Sequence, residues 1–402
     1  MTSPRIPSVA LAALLAITGI AGLWSVTRAS QGIDFYQMWI GARMARETTD
    51  FYAPATRARM GEEYLRRAVT EEQSPRRLAV ARFRRNLEVL STPFLYLVFA
   101  PFHGTYERDL LLFQMLMLFA FASWVALFAR IYGYGMSLGV LLFAFLAVAF
   151  EPTRSDARVV NVNHLPILLL AIAALFTQRG RFALAGATLA FAALTKPYVA
   201  MIIPLTYMFW ITRARWRDLA AHASGAAIAG AAGLIASSLY FRSGVIWLDW
   251  LREFRAMPQS TFDLDLGNIA LAVVIRELTG VQASALLLAL FGLITLVVAW
   301  HVKPRREADV LAIGLGCVLF QLGSPLVWVH HLLLSVPLIA YLLREGDRRR
   351  QLAAAFALAL IAAAPWAAWA ALMGSMIQIA AAINVGLLIA FGAALYDLGA
   401  QE

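Results

Sequence analysis

The sequence predicts an all-α polytopic membrane protein of about twelve transmembrane helices, with amphipathic interfacial helices in a large first outer loop. Three observations predict it. Of 402 residues, 61% are hydrophobic and 14% charged, with a mean hydropathy of +0.70; a water-soluble domain of this size could not hide so much apolar surface. Apolar runs near the length of a bilayer crossing recur along the whole chain. The basic residues behind the net charge of +10 and the pI near 10.1 fall in short clusters between those runs. That is how membrane topology is written, not how a nucleic-acid surface is built.

The first run, residues 7–27, is longer than a typical signal-peptide core and no Ala-x-Ala site follows it, so it reads as a retained helix. Further crossings are expected at 109–130, 134–150, 163–178, 219–240, 281–302, 309–323, 332–344, 351–372 and 376–397. Between Gln178 and Arg213 a longer run is broken by "LTKPYV". Pro197 disfavours helical geometry at Lys196 and removes a backbone donor, dividing the run into 182–195 and 197–212. The stretch "STPFLYLVFAPF", residues 91–102, is too short to span, and counting it would invert the basic links that follow; it is expected to lie in the outer leaflet.

Placing "ARIYGYG", "TQRGRF", "TRARWRD", "HVKPRRE" and "LLREGDRRR" in the cytoplasm puts both termini inside. It leaves 28–108, 151–162, the Lys196 turn, 241–280, "GSPLVWVHH" and a small link at 373–375 outside. The expected organisation is a single integrated membrane domain over residues 1–402, multi-pass in the cytoplasmic (inner) membrane. Its first outer loop, 28–108, and its second, 241–280, would carry the unusual polar motifs on the periplasmic face. The single cysteine, Cys317, gives no disulfide framework and no thiol metal cluster. No zinc signature, P-loop, Gly-x-Gly-x-x-Gly or Gly-x-Ser-x-Gly occurs, so no cofactor or metal is called for.

Asp34, in "SVTRASQGIDFYQMWIGARMARE", is the first acidic residue and follows the first apolar helix. It reads either as a helix N-cap beside the apolar face of Phe35, Met38, Trp39 and Ala42, or as a general base at the bilayer edge. Tyr36, Trp39 and the later Trp328 are aromatic candidates for substrate contact or for an interfacial belt. The stretch 57–86, "RARMGEEYLRRAVTEEQSPRRLAVARFRRN", either rests on anionic headgroups or lends an arginine to a phosphate. In "SDARVVNVNHLP", Asn161, Asn163 and His164 read as helix caps. Lys196 either snorkels to the interface or pairs with a lipid phosphate. His330 and His331 are adjacent, so at most one faces a cavity. In "TFDLDLGNIALAVVIRELTG", Asp263, Asp265 and Asn268 precede a short amphipathic helix, which Asn268 would cap.

Taken in order, these motifs resemble glycosyltransferase family 87, polytopic enzymes of the GT-C fold. "DFYQMWIGARMA" resembles the family's Asp-Phe-x-x-Tyr-Trp opening. The run "NVNHLPILLLAIAALFTQRGRFALAGATLAFAALTKPYVAMIIP" is similar to its Gly-Gln-x-Asn, Gly-Arg and Lys-Pro sequence. "GNIALAVVIRELTG" resembles its Asn-Gln-Ser segment, and "SPLVWVHHLLLSVPLIAYLL" its Ser-Pro-x-x-Trp-x-His-His helix. The departures are Val160 and Asn161 for Gly-Gln, Ile269 and Ala270 for Gln-Ser, and Pro93 alone for a Tyr-Pro-Pro segment.

The resemblance implies a GT-C-type glycosyltransferase fold and an inverting transfer of a sugar, mannose in preference to arabinofuranose. The donor would be a polyprenyl-phosphate sugar and the acceptor a lipid or glycan on the outer face, with membrane lipids as the only other partners and no nucleic acid. Asp34 matches the catalytic aspartate, and Asn163, Lys196, Asn268 and His330 or His331 match positions near the donor and its phosphate. Three other readings remain open: a lipid or sugar transporter or flippase built around the Lys-Pro break, a polymerase or ligase of surface polysaccharide, and a non-catalytic assembly subunit that would not need Asp34.

Overall fold

The computed structural model describes residues 6–400, apart from 49, 73, 88–90, 258–261, 265–266, 303–305, 345–346 and 370–374. Asp265, most of the link 373–375 and parts of the links "HVKPRRE" and "LLREGDRRR" therefore lie outside the described residues. The described residues are helical throughout, with turns and links but no strand. In chain order the helices are α1 (Ile6–Ala29), α2 (Ile33–Glu47), α3 (Pro54–Arg67), α4 (Pro75–Phe83), α5 (Pro93–Val98), α6 (Tyr106–Ile131) and α7 (Met136–Val148). They continue with α8 (Glu151–Val159), α9 (His164–Gln178), α10 (Phe182–Thr195), α11 (Ile202–Ile211), α12 (Trp216–Phe241), α13 (Ile246–Arg255) and α14 (Leu271–Thr279). The last five are α15 (Ser284–Val302), α16 (Leu311–Gly323), α17 (Val336–Leu343), α18 (Arg348–Trp369) and α19 (Met376–Gly399).

Among the described residues, five stretches are long and apolar enough to cross a membrane: Ala10–Ala29 in α1, then α6, α12, α15 and α19. A sixth forms if α7 and α8, bent by 54°, count as one broken span. Other expected crossings fall on α9, α10 and α16, of 15, 14 and 13 residues. At 1.5 Å per residue these reach only about 20–23 Å of a ~30 Å hydrocarbon core. Helix length and composition thus support five or six crossings directly; α18, of 22 residues, has the length of a further one, and the rest of the expected twelve are left to short apolar helices.

The Lys-Pro break falls where the sequence places it. α10 ends at Thr195, Lys196 is extended, and a 3-10 turn over Pro197–Met201 precedes α11. The stretch around 91–102 yields only the six-residue α5, with Pro93 at its first turn and the Thr92 hydroxyl accepting from the Leu95 N–H.

Two apolar clusters organise the chain. The larger runs through α6, α7, α9, α10 and α16–α19. The smaller fills a lobe of α2–α5 set on the N-terminal half of α6 and the end of α12. In the lobe, Phe35 meets Phe99, Phe102, Tyr106 and Phe113 with ring centroids 5.2–6.1 Å apart, a spacing that favours edge-on and tilted aromatic contact. α10 and α12 approach backbone to backbone because both carry glycine at the crossing. A Cβ on Gly186 would lie 2.0 Å from the His222 carbonyl oxygen, and one on Gly225 1.9 Å from that of Ala183. Elsewhere two carboxylates gather basic links: Asp309 accepts from Arg213 and Arg215, and Asp397 from Arg344, Arg350 and Tyr341.

Candidate active site

A three-residue link after α1 sets the direction in which Asp34 points. Ser30 Oγ donates to the Arg158 carbonyl at 2.5 Å and accepts from the Gly32 N–H at 2.9 Å, while Tyr106 Oη donates to the Gln31 carbonyl at 2.5 Å. Gly32 turns the chain with φ +75°, and a Cβ there would meet Leu110 Cδ1 at 2.6 Å. Gly32, not Asp34, is the N-cap of α2, and Asp34 sits in the first helical turn. The capping reading of Asp34 is thereby corrected. Its carboxylate serves another set of partners, and a negative charge still suits this end of the helix.

Asp34 Oδ2 accepts from Asn161 Nδ2 at 2.7 Å, and Oδ1 faces Arg84 Nη2 at 3.3 Å. Its side chain keeps 18% exposure, so it is not sealed in the core. Asn161 arrives from the turn between α8 and α9, made by Val160 in the left-handed region at φ 54°. The Val162 N–H donates to Asn161 Oδ1 at 2.7 Å, which fixes the amide so that its NH2 faces Asp34. Arg84 comes from the end of α4.

Beneath this turn lies a buried polar hub on Asp156, 1% exposed. Asn163 Nδ2 donates to Asp156 Oδ1 at 2.8 Å, and Tyr198 Oη donates to Asn163 Oδ1 at 2.8 Å. Trp124 Nε1 donates to His164 Nδ1 at 3.2 Å, which leaves the neutral imidazole its proton on Nε2, 3.5 Å from Asp156 Oδ2. The backbone N–H of Asn161 donates to the Asp156 carbonyl at 3.2 Å, so the hub holds the turn that presents Asn161. Asn163 occupies the N-cap position of α9 but makes no capping bond; its amide goes to the hub instead.

Lys196 is half-buried, with Nζ 5.9 Å from the Tyr198 ring, and lies within electrostatic reach of both Asp34 and Asp156. His330 is half-buried and feels the charges of Asp34 and Lys196. His331 is turned inward at 8% exposure: its Nδ1 accepts from the Trp328 N–H at 3.3 Å and its carbonyl accepts from Gln321 Nε2 at 2.7 Å. Of the pair, His330 is the one within electrostatic range of Asp34.

Other candidates have structural surroundings. Asn268 is fully buried and does not cap the helix after it, whose N-cap is Ala270. Its Nδ2 donates to the Phe262 and Pro325 carbonyls, and its Oδ1 accepts from the Ala270 and Val327 N–H groups, tying two loops together. Trp328 is half-buried, with its ring edge 3.6 Å from the Cβ position of Gly267. Asp263 pairs with Arg276 at 3.1 Å. Tyr36 and Trp39 are 1% and 2% exposed and pack the core of the lobe. Trp39 Nε1 donates to Asp109 at 2.9 Å. Burial pushes the Tyr36 phenol well up, more than Arg77 lowers it, so it stays protonated near neutral pH.

The arginine-rich stretch resolves into pairs. Arg57 meets Glu253, Arg66 meets Glu63, Arg67 meets Glu63 and Glu47, Arg76 meets Glu107, and Arg85 meets Glu62. Arg84 is the one that reaches Asp34, a distinction no local pattern in the sequence carries. Asn161 was also missed as a partner of Asp34, although its place two residues before Asn163 had drawn attention to it.

The sequence model of glycosyltransferase family 87 matches residues 90–328. The match takes in Asn161, Asn163, Lys196, Asn268 and Trp328; Asp34 and Arg84 precede it, and His330 follows. No curated protein matches the chain. More than half of the sequence thus falls under one family, and it folds as helices of which several can cross a bilayer: the chain belongs to glycosyltransferase family 87 and is a membrane glycosyltransferase.

Proposed function

We propose that the chain transfers a sugar, mannose in preference to arabinofuranose, from a polyprenyl-phosphate donor to a hydroxyl of a lipid or glycan acceptor. The reaction takes place at the outer face of the cytoplasmic membrane, with inversion, and the whole chain acts as one integrated unit. The acceptor oxygen attacks the anomeric carbon from the side opposite the leaving group. The C–O bond to phosphate breaks with its electron pair on the phosphate, and the acceptor proton passes to the Asp34 carboxylate. The products are the new glycoside and polyprenyl phosphate.

The observation that carries this reading is the setting of Asp34: one oxygen held by Asn161 at 2.7 Å, the other facing Arg84, with Lys196 and His330 in electrostatic range. A base needs a fixed carboxylate, and a departing phosphate needs cations close by; both are gathered here. Asn163 and Asn268 act as positioning residues in this scheme, one through the Asp156 hub and the other through the 325–327 loop that leads to His330.

The test compares wild type with Asp34→Asn in membranes at matched expression, offered a panel of polyprenyl-phosphate sugars, with lipid products read by mass spectrometry. Wild type transfers one sugar, and the substitution lowers the rate by about 10²–10⁴-fold. Equal transfer by both proteins would remove Asp34 from the reaction.

A further inference from the structure

On the far side of α2 from Asp34 lies a cavity of about 500 Å³ that the transfer reaction does not use. Its wall takes Trp39, Arg43, Arg46 and Glu47 from α2, one face at spacings of four, seven and eight residues. At about 100° per residue, that face points some 120–180° away from Asp34, and Arg43 to Arg46 lie roughly 14–18 Å along the axis from it. Arg67, Arg77 and Glu71 close the opposite wall. Four guanidinium groups therefore face two carboxylates.

The arginines are set in place rather than loose. Arg43 lies flat over Trp39, 3.4 Å from the ring centre, and donates to the Phe102 and Gly104 carbonyls at 2.7 Å each, with Asp109 3.7 Å behind it. Burial lowers the Arg43 guanidinium from its ordinary range, and Asp109 works against that fall. Arg67 is held by Glu47 and Glu63, and Arg77 stands 4.0 Å from Glu71. Arg46 differs. Among the described residues its contacts are the Ala100 carbonyl at 3.4 Å and the Tyr240 side chain, through its ring at 5.8 Å and its hydroxyl, and no carboxylate pairs with it. Its charge is available to a ligand.

We propose that this cavity is a second binding site, for a phosphate ester joined to a hydroxyl-bearing group. Guanidinium forks match phosphate oxygens in pairs, and Arg46 brings the uncompensated charge. Glu47 and Glu71 are acceptors for hydroxyls on the attached group. The volume holds more than a bare phosphate. Two sources share this chemistry, a glycerophospholipid headgroup and a soluble sugar or polyol phosphate.

The experiment uses the purified full chain and two probes, phosphatidylglycerol in mixed micelles read by native mass spectrometry and sn-glycerol 3-phosphate read by calorimetry. Phosphatidylcholine is the lipid control. Arg46→Ala is the test variant; Arg66→Ala, whose side chain is 72% exposed and lies outside the cavity, is the control. Arg46 is exposed and touches only the Ala100 carbonyl and the Tyr240 side chain among the described residues, so the variant folds, which a thermal melt verifies. Retention of phosphatidylglycerol falls about tenfold in Arg46→Ala and stays unchanged in Arg66→Ala. Binding of glycerol 3-phosphate without lipid retention, with the same dependence on Arg46, assigns the site to a soluble phosphate. Equal binding by wild type and Arg46→Ala, or binding of neither probe, overturns the proposal. Because binding and not transfer is read, Asp34→Asn binds as wild type, and the two readings stand or fall separately.

Discussion

Asp34 has two oxygens and two neighbours, and the division of labour between them is chemical. The Asn161 amide donates without bringing charge, so it orients the carboxylate; Arg84 brings a full charge that, in the proposed reaction, the departing phosphate would share. Asn161→Ala therefore leaves substrate binding intact and lowers turnover about tenfold, the cost of one hydrogen bond of about 1–1.5 kcal/mol. Steady-state kinetics on the proposed donor check this, and a change in KM alone would reduce Asn161 to a binding contact. How legible was this in the chain? Asp34 stood out because a carboxylate directly after an apolar crossing is costly without a purpose. Asn161 and Arg84 did not, because each is brought to Asp34 by a turn or a packing angle that leaves no periodic trace. Asn163 and Asn268 were noticed as polar residues at helix starts. Neither makes a side-chain cap; the Asn163 amide goes to the Asp156 hub and the Asn268 amide ties two loops together.

Among the elements, glycine position decides how close two helices come. α10 and α12 come within backbone contact at their crossing because Gly186 and Gly225 present no side chain to the facing backbone. Gly225→Val places a branched side chain where the Ala183 carbonyl now sits, and a loss of about 3 kcal/mol is expected from the forced separation. The variant should melt well below wild type in detergent; an unchanged melting temperature would mean that the helices do not meet at this residue. The Lys-Pro break was readable from Pro197 alone, since proline acts on the backbone locally. Helix lengths were less readable. Apolar runs such as 163–178 have the composition of a crossing, while the helices they form are too short to make one unaided. Composition reports what surrounds a segment, and a lipid neighbour looks the same in sequence as a buried helix face.

For the whole molecule, the distribution of basic links was the one global signal available, and it gives a definite expectation of sidedness. Cys317 is buried, so a single cysteine introduced at the surface can be read against an inert background. Thr105→Cys, exposed at the edge of the lobe, should react with a membrane-impermeant maleimide added outside intact cells. Arg179→Cys, exposed in a basic link, should react only after lysis. Labelling of both from the same side would overturn the topology on which the placement of the reaction depends. The lobe's separate apolar cluster was not legible as such, because its aromatics come from α2, α5, α6 and α12, and no window of sequence contains them together.

The link Ser30–Gly32 has a consequence at this scale. α1 shows most of its apolar surface to its surroundings: Leu11, Leu14, Ile17 and Ile20 are 57%, 60%, 64% and 45% exposed. On its other side the helix packs on α7, where a Cβ on Gly19 would lie 3.2 Å from that of Ala147, so its tilt answers to that packing as well as to hydrocarbon thickness. Three residues, pinned to Arg158 and Tyr106, separate its end from the helix bearing Asp34. The carboxylate is thereby coupled to a helix whose inclination its neighbours and the lipids set together, so acyl-chain length is expected to modulate the proposed transfer.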